Sequence, residues 1–366
     1  MFINKDIGNI DKIILNKLGK NADTPITDLL TSTQYRRKSS VYNRIRYLRS
    51  EKYLFGPYFD INYNAIGTNK LYSVFVFAHY DPLYRAPVLE ALKEINCWTM
   101  IYPVRTADAY LGIYRCNNWN YIATLIGLMD RWGWLKEYSV HKSEHRWVLT
   151  NPDFFGRFIP PPDYQVTRKG ELPHFQYEDV EPCIEYTEID LTVLKYVSRK
   201  TCRLTEMRDL EYRYHGVQLK YHDLKRSFDK LRDSNVLLEK NFIILPLPLD
   251  MSSLFFLITQ GKNFGSHLDT IAGFGEGLRL HKTLIVVGKE IISYFLAHPL
   301  LEGKILGIIE NNLDSAKLYG IKTYPSHELS MQSLNDNYFD VESQRWVFPY
   351  SEFKEGLKEI KEKRGE

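Results

Sequence analysis

The sequence predicts an α+β chain of two winged helix-turn-helix domains, each followed by a ferredoxin-like βαββαβ domain. Three observations lead there. A basic amphipathic helix, RRKSSVYNRIRYLRSEKYL (Arg36–Leu54), follows two helical segments. After it, strand and helix patterns alternate as β, α, β, β, α, β up to residue 150. From residue 188 the same order begins again.

The first helix is predicted from Ile10, Ile13, Ile14 and Leu18, which recur at helical spacing with Asp6 or Asn9 as caps. Gly19 and the polar run to Pro25 break it, and Pro25 opens a second helix across ITDLL. In the third, Val41, Ile45 and Leu48 form one apolar stripe. Arg36, Arg37, Lys38, Arg44, Arg46 and Arg49 occupy the other faces, and Glu51 is the only acid of the stretch. Gly56-Pro57 and the alternating YFDIN then predict a wing strand. These elements make residues 1–62 the first winged helix-turn-helix.

In residues 63–150, LYSVFVFAHY reads as a strand and PLYRAPVLEALKEI as a helix. CWTMIYPV and AYLGIYRC are strands about a turn, WNYIATLIGLMDRW is a helix and LKEYSVHK a closing strand. A sheet with both helices on one face leaves the other face needing a partner sheet. Residues 151–187 carry scattered prolines and aromatics without a period, and are expected to form a Pro-rich linker. EIDLTVLKYV then repeats NIDKIILNKL, with Asp190 where Asp11 stood, and FDKLRDSNVL repeats IRYLRSEKYL. This gives a second, diverged winged helix-turn-helix over 188–245 and a second ferredoxin-like domain over 246–350. A charged C-terminal tail over 351–366 is expected to follow. An Arg-Trp-Val strand closes both halves, in SEHRWVLTNPDFF and ESQRWVFPYSEF.

Composition narrows the function. The 366 residues are 44% hydrophobic and 25% charged, with a net charge of +3, so a nucleic-acid surface must be local. Cys97, Cys116, Cys183 and Cys202 form no C-x-x-C pair, which fits reduced thiols. No secretory signal pattern and no apolar run of about 18 residues is present, so a soluble, cytoplasmic protein with no membrane partner is expected.

In a helix-turn-helix the N-terminal part of the third helix enters the major groove of double-stranded DNA. Arg36, Arg37, Lys38, Ser39, Ser40, Tyr42, Asn43 and Arg44 are therefore the expected contacts of the first unit. Cations there reach phosphates or guanine edges, Asn43 suits adenine, and the serines cap or touch phosphate. Arg44 also suits bracing the domain from inside. In the second unit the helix is expected to start near Val217, with Gln218, Lys220, Tyr221 and Lys225 as contacts. Asp and Glu residues nearly balance its bases, so it is expected to be the weaker reader or an interaction surface. No nucleophile elbow, P-loop or metal-ligand spacing appears, and His141 and His145 do not converge as on a helix. GFGEGLRL (Gly273–Leu280) reads as a turn. No enzyme activity, cofactor or metal is expected.

The motifs resemble a known family. D-x-x-I-L at Asp11–Leu15, SSVYNRIRYL at Ser39–Leu48 and the turn Thr106, Asp108, Tyr110, Leu111 are similar to the Lrp/AsnC transcription regulators. Ala107 stands where that family's turn has glycine. The resemblance implies a winged helix-turn-helix followed by an effector (RAM-like) domain, here duplicated, with the two sheets joined as an intramolecular pseudo-dimer. It further implies a prokaryotic regulator with an amino-acid-like effector at Arg105, Thr106, Asp108, Tyr110 and Gly288. Whether two whole chains pair again as a homodimer stays open. The architecture also resembles sirohaem decarboxylases, but the histidine motifs of those enzymes are missing from TMIYPVRTADAYLG. A non-DNA interaction scaffold is the third reading.

Overall fold

The computed structural model describes residues 7–364 apart from 105–106, 144–145, 162–183, 199–202, 249–250, 261–263, 288–289, 313–314 and 322–329. It opens with α1 (Asn9–Lys20), α2 (Ile26–Thr33), α3 (Lys38–Ser50) and β1 (Leu54–Ile61). The Asp11 carboxylate accepts the Gly8 N–H at 3.1 Å and so caps α1. Ile14, Leu15, Leu18, Leu29, Val41 and Leu48 close on one another as the core of this helical unit. Leu48 and Val41 are the apolar stripe expected of α3, while Ile45 is only partly buried.

Two five-stranded antiparallel sheets follow. The first combines β2 (Tyr72–Tyr80), β3 (Trp98–Pro103), β4 (Ala109–Cys116) and β5 (Leu135–Lys142), with α4 (Arg85–Glu94) and α5 (Trp119–Arg131) as its helices. The second combines β8 (Ser253–Gln260), β9 (His281–Val287), β10 (Glu290–Ala297) and β11 (Ser315–Ile321), with α9 (Phe264–Gly273) and α10 (Glu302–Asn312). Their strand orders correspond, β3-β4-β2-β5 against β9-β10-β8-β11. Each sheet borrows its outer strand from the other half of the chain. β6 (Arg146–Thr150) pairs with β9, and β12 (Ser330–Met331) pairs with β3.

The faces away from the helices meet. Phe75, Phe77, Ala109 and Leu111 of the first sheet share one core with Leu254, Phe256, Ile258, Ile292 and Leu296 of the second. Strand alternation forces this: Val74, Val76 and Ala78 between them turn to the helix layer. The partner-sheet requirement is met within the chain.

A second set of three helices, α6 (Glu188–Ser198), α7 (Leu204–His215) and α8 (Tyr221–Asp233), leads into β7 (Leu237–Ile244). β7 pairs antiparallel with β1, from Leu54 opposite Ile244 to Ile61 opposite Leu237. The cores cross over as well. Phe242 and Ile244 of β7 complete the first helical unit, whereas Leu191, Leu194, Leu224 and Leu231 join the core under the first sheet's helices.

One expectation is corrected here, at the C-terminus. The Pro-rich connector over 151–187 begins packed on its neighbours. The Asn151 side chain donates to the Gly19 and Phe242 carbonyls at 3.0 and 2.9 Å and accepts the Ile244 N–H at 3.0 Å, and Phe154 is buried in the first helical core. The rest of that segment, from 162 to 183, lies outside the described residues. The C-terminal residues are not a charged tail but a helix, α11 (Tyr350–Glu362), with Phe353, Leu357 and Ile360 buried. Its polar residues disguise an apolar stripe that packs beside α4 and α5. Two short strands, β13 (Phe339–Asp340) and β14 (Arg345–Trp346), precede it. The two Arg-Trp-Val copies therefore differ in setting, one at a sheet edge and one in this small hairpin. No described helix is long and apolar enough to cross a membrane.

Candidate nucleic-acid interface and the layer between the sheets

α3 presents its bases outward because Val41 and Leu48 fix which side is inward. Arg36, Arg37, Lys38, Ser39, Tyr42, Asn43 and Arg46 are exposed, and Tyr42 is 55% exposed despite its ring. No acid stands in the first turn of the helix. Arg36, Arg37 and Lys38 thus surround the positive end of the helix dipole, and none of them forms an ion pair among the described residues. Ser39 and Ser40 lie inside the first turn, and no side chain caps α3; the capping role expected of them is corrected.

Arg44, expected as a DNA contact or an internal brace, makes the bracing contacts. Its Nε and Nη2 donate to the two carboxylate oxygens of the buried Asp11. Its guanidinium lies 4.2 Å from the Tyr47 ring centre. The hydrogen bond with Asp11 raises the Arg44 pKa. This bidentate pair fastens α3 to α1 and sets the angle at which the exposed bases are offered.

The second helical unit keeps the anchor and changes its parts. Ser227 donates to Asp190 at 2.6 Å, Lys230 donates to it at 2.7 Å, and the Thr187 N–H caps it at 2.8 Å. Ser227 occupies the place of Arg44, and the cation comes from the next turn. α8 starts at Tyr221 with Lys220 as its N-cap, so the start near Val217 is corrected and Gln218 lies before the helix. Gln218, Lys220, Tyr221 and Lys225 are exposed, but Lys225 is tied to Asp229 at 2.6 Å and Asp223 sits in the first turn. α7 has 12 residues where α2 has 8, so one extra helical turn stands before α8.

Of the expected effector residues, only Asp108 and Tyr110 are described. Arg105, Thr106 and Gly288 lie outside the described residues. Asp108 is exposed, and its carbonyl accepts the Tyr80 N–H at 2.8 Å. Tyr110 is fully buried in the helix-side core, so it does not line an open cleft; a side chain one strand position from Leu111 faces the opposite way.

Between the sheets, the His141 Nδ1 of β5 lies 2.6 Å from the Glu290 carboxylate of β10, and its Nε2 lies 3.0 Å from the Ser139 hydroxyl. This cross-sheet pair was not read from the sequence, where His141 stood only as an unconvincing metal ligand. His145 lies outside the described residues, and no metal-holding cluster occurs among those described. Elsewhere in the layer, Tyr102, Phe256, Tyr294 and His281 form a chain of rings 5.4–6.0 Å apart. Burial pushes the Tyr294 hydroxyl up to about 12. The Gly273–Leu280 stretch turns α9 into β9, with Gly275 and Gly277 at φ 101° and 68°. Beneath it the buried Lys282 amine donates to the Ile271 and Ala272 carbonyls at 2.8 and 2.7 Å and to that of Phe274. Burial pushes Lys282 down to about 7.

No family model matches the sequence, and no curated protein does. Among solved structures, the siroheme decarboxylase NirDL aligns over 98% of this chain and 100% of its own, at 11% identity and a TM-score of 0.48. Escherichia coli AsnC covers 38% of this chain and 94% of its own, at 15% identity and a TM-score of 0.31. The Mycobacterium tuberculosis leucine response regulatory protein LrpA covers 37% and 91%, at 21% identity and a TM-score of 0.28. The Lrp/AsnC-like regulators match part of the chain, while the siroheme decarboxylase, an enzyme, aligns along nearly all of it. The expectation that the chain is not an enzyme is corrected on that finding.

Proposed function

We propose that the chain is a sequence-specific DNA-binding regulator whose main reader is α3. The observation that supports it is the set Arg36, Arg37 and Lys38 around the unopposed N-terminal end of a helix that Asp11 and Arg44 hold in place, with Arg46 exposed two turns further on. Phosphates attract that set, and Asn43 and Tyr42, exposed beside it, are suited to base edges. In this reading residues 1–62 and 188–245 are two winged helix-turn-helix units and residues 63–150 and 246–350 two ferredoxin-like domains, joined as a pseudo-dimer. The repeated element order, the shared inter-sheet core and the β1–β7 pairing support it. Gln218, Lys220, Tyr221 and Lys225 would read less strongly, because Asp223 and Asp229 oppose them. An amino-acid-like effector and a further pairing of whole chains belong to the same proposal.

The test is fluorescence anisotropy on DNA selected from a random pool, at several salt concentrations. With about four phosphates neutralised, affinity should fall on the order of a hundredfold between 50 and 200 mM salt. Arg36→Glu with Arg37→Glu should remove most of the binding, and Lys220→Glu with Lys225→Glu much less. Equal losses at the two helices would refute the assignment of the main reader.

A second reading places catalysis or tetrapyrrole binding between the sheets, where His281, Tyr294 and Tyr102 bring polar rings into the layer that also holds the His141–Glu290 pair. Titrating the full chain with sirohaem and following the Soret band separates the two. A saturable shift without DNA affinity would favour the second.

A further inference from the structure

On β5, at the outer edge of the first sheet, a serine, a histidine and a carboxylate stand in line. Ser139 and His141 are two positions apart, so both side chains leave the strand on the face turned to the second sheet, while Tyr138 and Val140 turn to the helix layer. Their partners across the ladder, Phe77 and Phe75, lie in the core between the sheets. Glu290 reaches them from the first position of β10. The His141 ring meets that of Phe77 edge to face, with 6.0 Å between centres. The group is shielded without being closed off. The His141 and Glu290 side chains are 13% and 29% exposed, and Ser139 is half-buried.

The carboxylate decides the order of the protons. An ionised Glu290 can only accept, so the 2.6 Å contact is a hydrogen bond donated by the His141 Nδ1–H. In the neutral ring Nε2 is then the bare nitrogen, and the Ser139 hydroxyl, 3.0 Å away, donates to it. A hydroxyl on a base that a carboxylate orients is the arrangement that activates serine as a nucleophile. The Ser143 N–H donates to the Ser73 carbonyl of β2, so the N–H groups of Ser139 and His141 also turn to β2 and that of Val140 turns away. β5 is the last strand of its sheet, and no strand covers its outer edge among the described residues. The Val140 N–H is thus a donor beside the hydroxyl for an oxygen that attack would make negative.

We propose that Ser139, His141 and Glu290 form a site that hydrolyses small carboxylic esters, with Ser139 as nucleophile, His141 as base and Glu290 as a positioning residue. The Ser139 Oγ bonds to the ester carbonyl carbon as its proton passes to His141 Nε2. The C–O bond to the alcohol then breaks, and the alcohol leaves with that proton, which leaves an acyl group on Ser139. Water, giving a proton to Nε2, attacks the acyl carbon; the carboxylic acid departs and the proton returns to the Ser139 oxygen. The inference depends on neither the DNA-binding nor the tetrapyrrole reading.

The test is hydrolysis of p-nitrophenyl acetate by the full chain, together with mass-spectrometric mapping of labelling by a fluorophosphonate probe. The wild type should turn the ester over and take the probe on Ser139. Ser139→Ala removes the nucleophile and leaves the His141–Glu290 pair in place, so turnover and that label should both be lost. His141→Gln should slow each about a hundredfold or more. Glu290→Gln keeps the shape and loses the orienting charge, so kcat and the labelling rate should fall about tenfold or more with KM unchanged. A merely structural tie would not move kcat alone. Lys136→Gln, at an exposed position on the same strand, should match the wild type. The wild-type label decides without any variant, should one fail to fold. The proposal is overturned by turnover no higher than that of Ser139→Ala, by no label on Ser139, or by labelling of His141→Gln at the wild-type rate.

Discussion

Asp190 shows how much of this chain is decided by single buried carboxylates. Burial works to raise its pKa, but hydrogen bonds from Lys230, Ser227 and Thr187 outweigh that and leave it lowered. A carboxyl group whose folded value lies below its unfolded value contributes stability above the unfolded value of about 4. That contribution drains away as pH falls toward the lower folded value, because the unfolded chain then binds the proton first. Urea midpoints for wild type and Asp190→Asn should therefore differ by a constant amount above about pH 5 and converge below about pH 4. A gap that stayed constant down to pH 3 would mean that the carboxylate's charge plays no part. The sequence revealed that Asp190 repeats Asp11, but not what holds either. Ser227 and Lys230 are 37 and 40 residues from Asp190 in sequence, and no local pattern joins them to it. Arg44 was one base among four on its helix, and only the position of Asp11 in space separates it from the others.

At the level of elements, α3 and its fastening to α1 make a sharper test. The Asp11–Arg44 pair has one fully buried partner and one about a third exposed. Removing either partner leaves the other uncompensated, so Arg44→Ala or Asp11→Ala should cost about 3 kcal/mol, and the double variant little more than either alone. Chemical denaturation of the four proteins yields the coupling directly. Additive losses would mean that the two side chains act independently and that α3 is oriented by Val41 and Leu48 alone. Arg36→Ala, by contrast, should leave the midpoint within about 0.5 kcal/mol of wild type, since an exposed base holds no partner. The helical units were legible because an apolar stripe at i, i+4, i+7 is a local signal. α11 was not, since Phe353, Leu357 and Ile360 are separated by lysines and glutamates that gave the stretch the composition of a tail. The extra turn of α7 and the start of α8 at Tyr221, beyond a left-handed Gly216, are revealed only by the backbone.

The whole molecule is interlocked in a way that strand patterns could not announce. Sequence periodicity showed two sheets needing cover, and the shared core of Phe77, Leu111, Phe256 and Ile292 supplies it. Which strand completes which sheet is a long-range choice: β6 and β12 each have an edge available in their own half and join the other's. β1 and β7 pair across the halves too, and Asn151 binds α1, β7 and, at 3.2 Å, the His281 ring of β9. A chain folded this way cannot be cut between its halves without exposing the inter-sheet core and three strand edges at once. Residues 1–187 and 188–366 expressed separately should therefore fail to give cooperative unfolding, and each should aggregate or behave as a molten state. Co-expressed, they should associate and recover one transition, because every pairing lost in the separate pieces is available between them. If residues 1–187 alone unfolded cooperatively and bound DNA with full affinity, the crossed packing would be incidental. The reader helix would then owe nothing to the second half, although Phe242 and Ile244 of that half lie in its core.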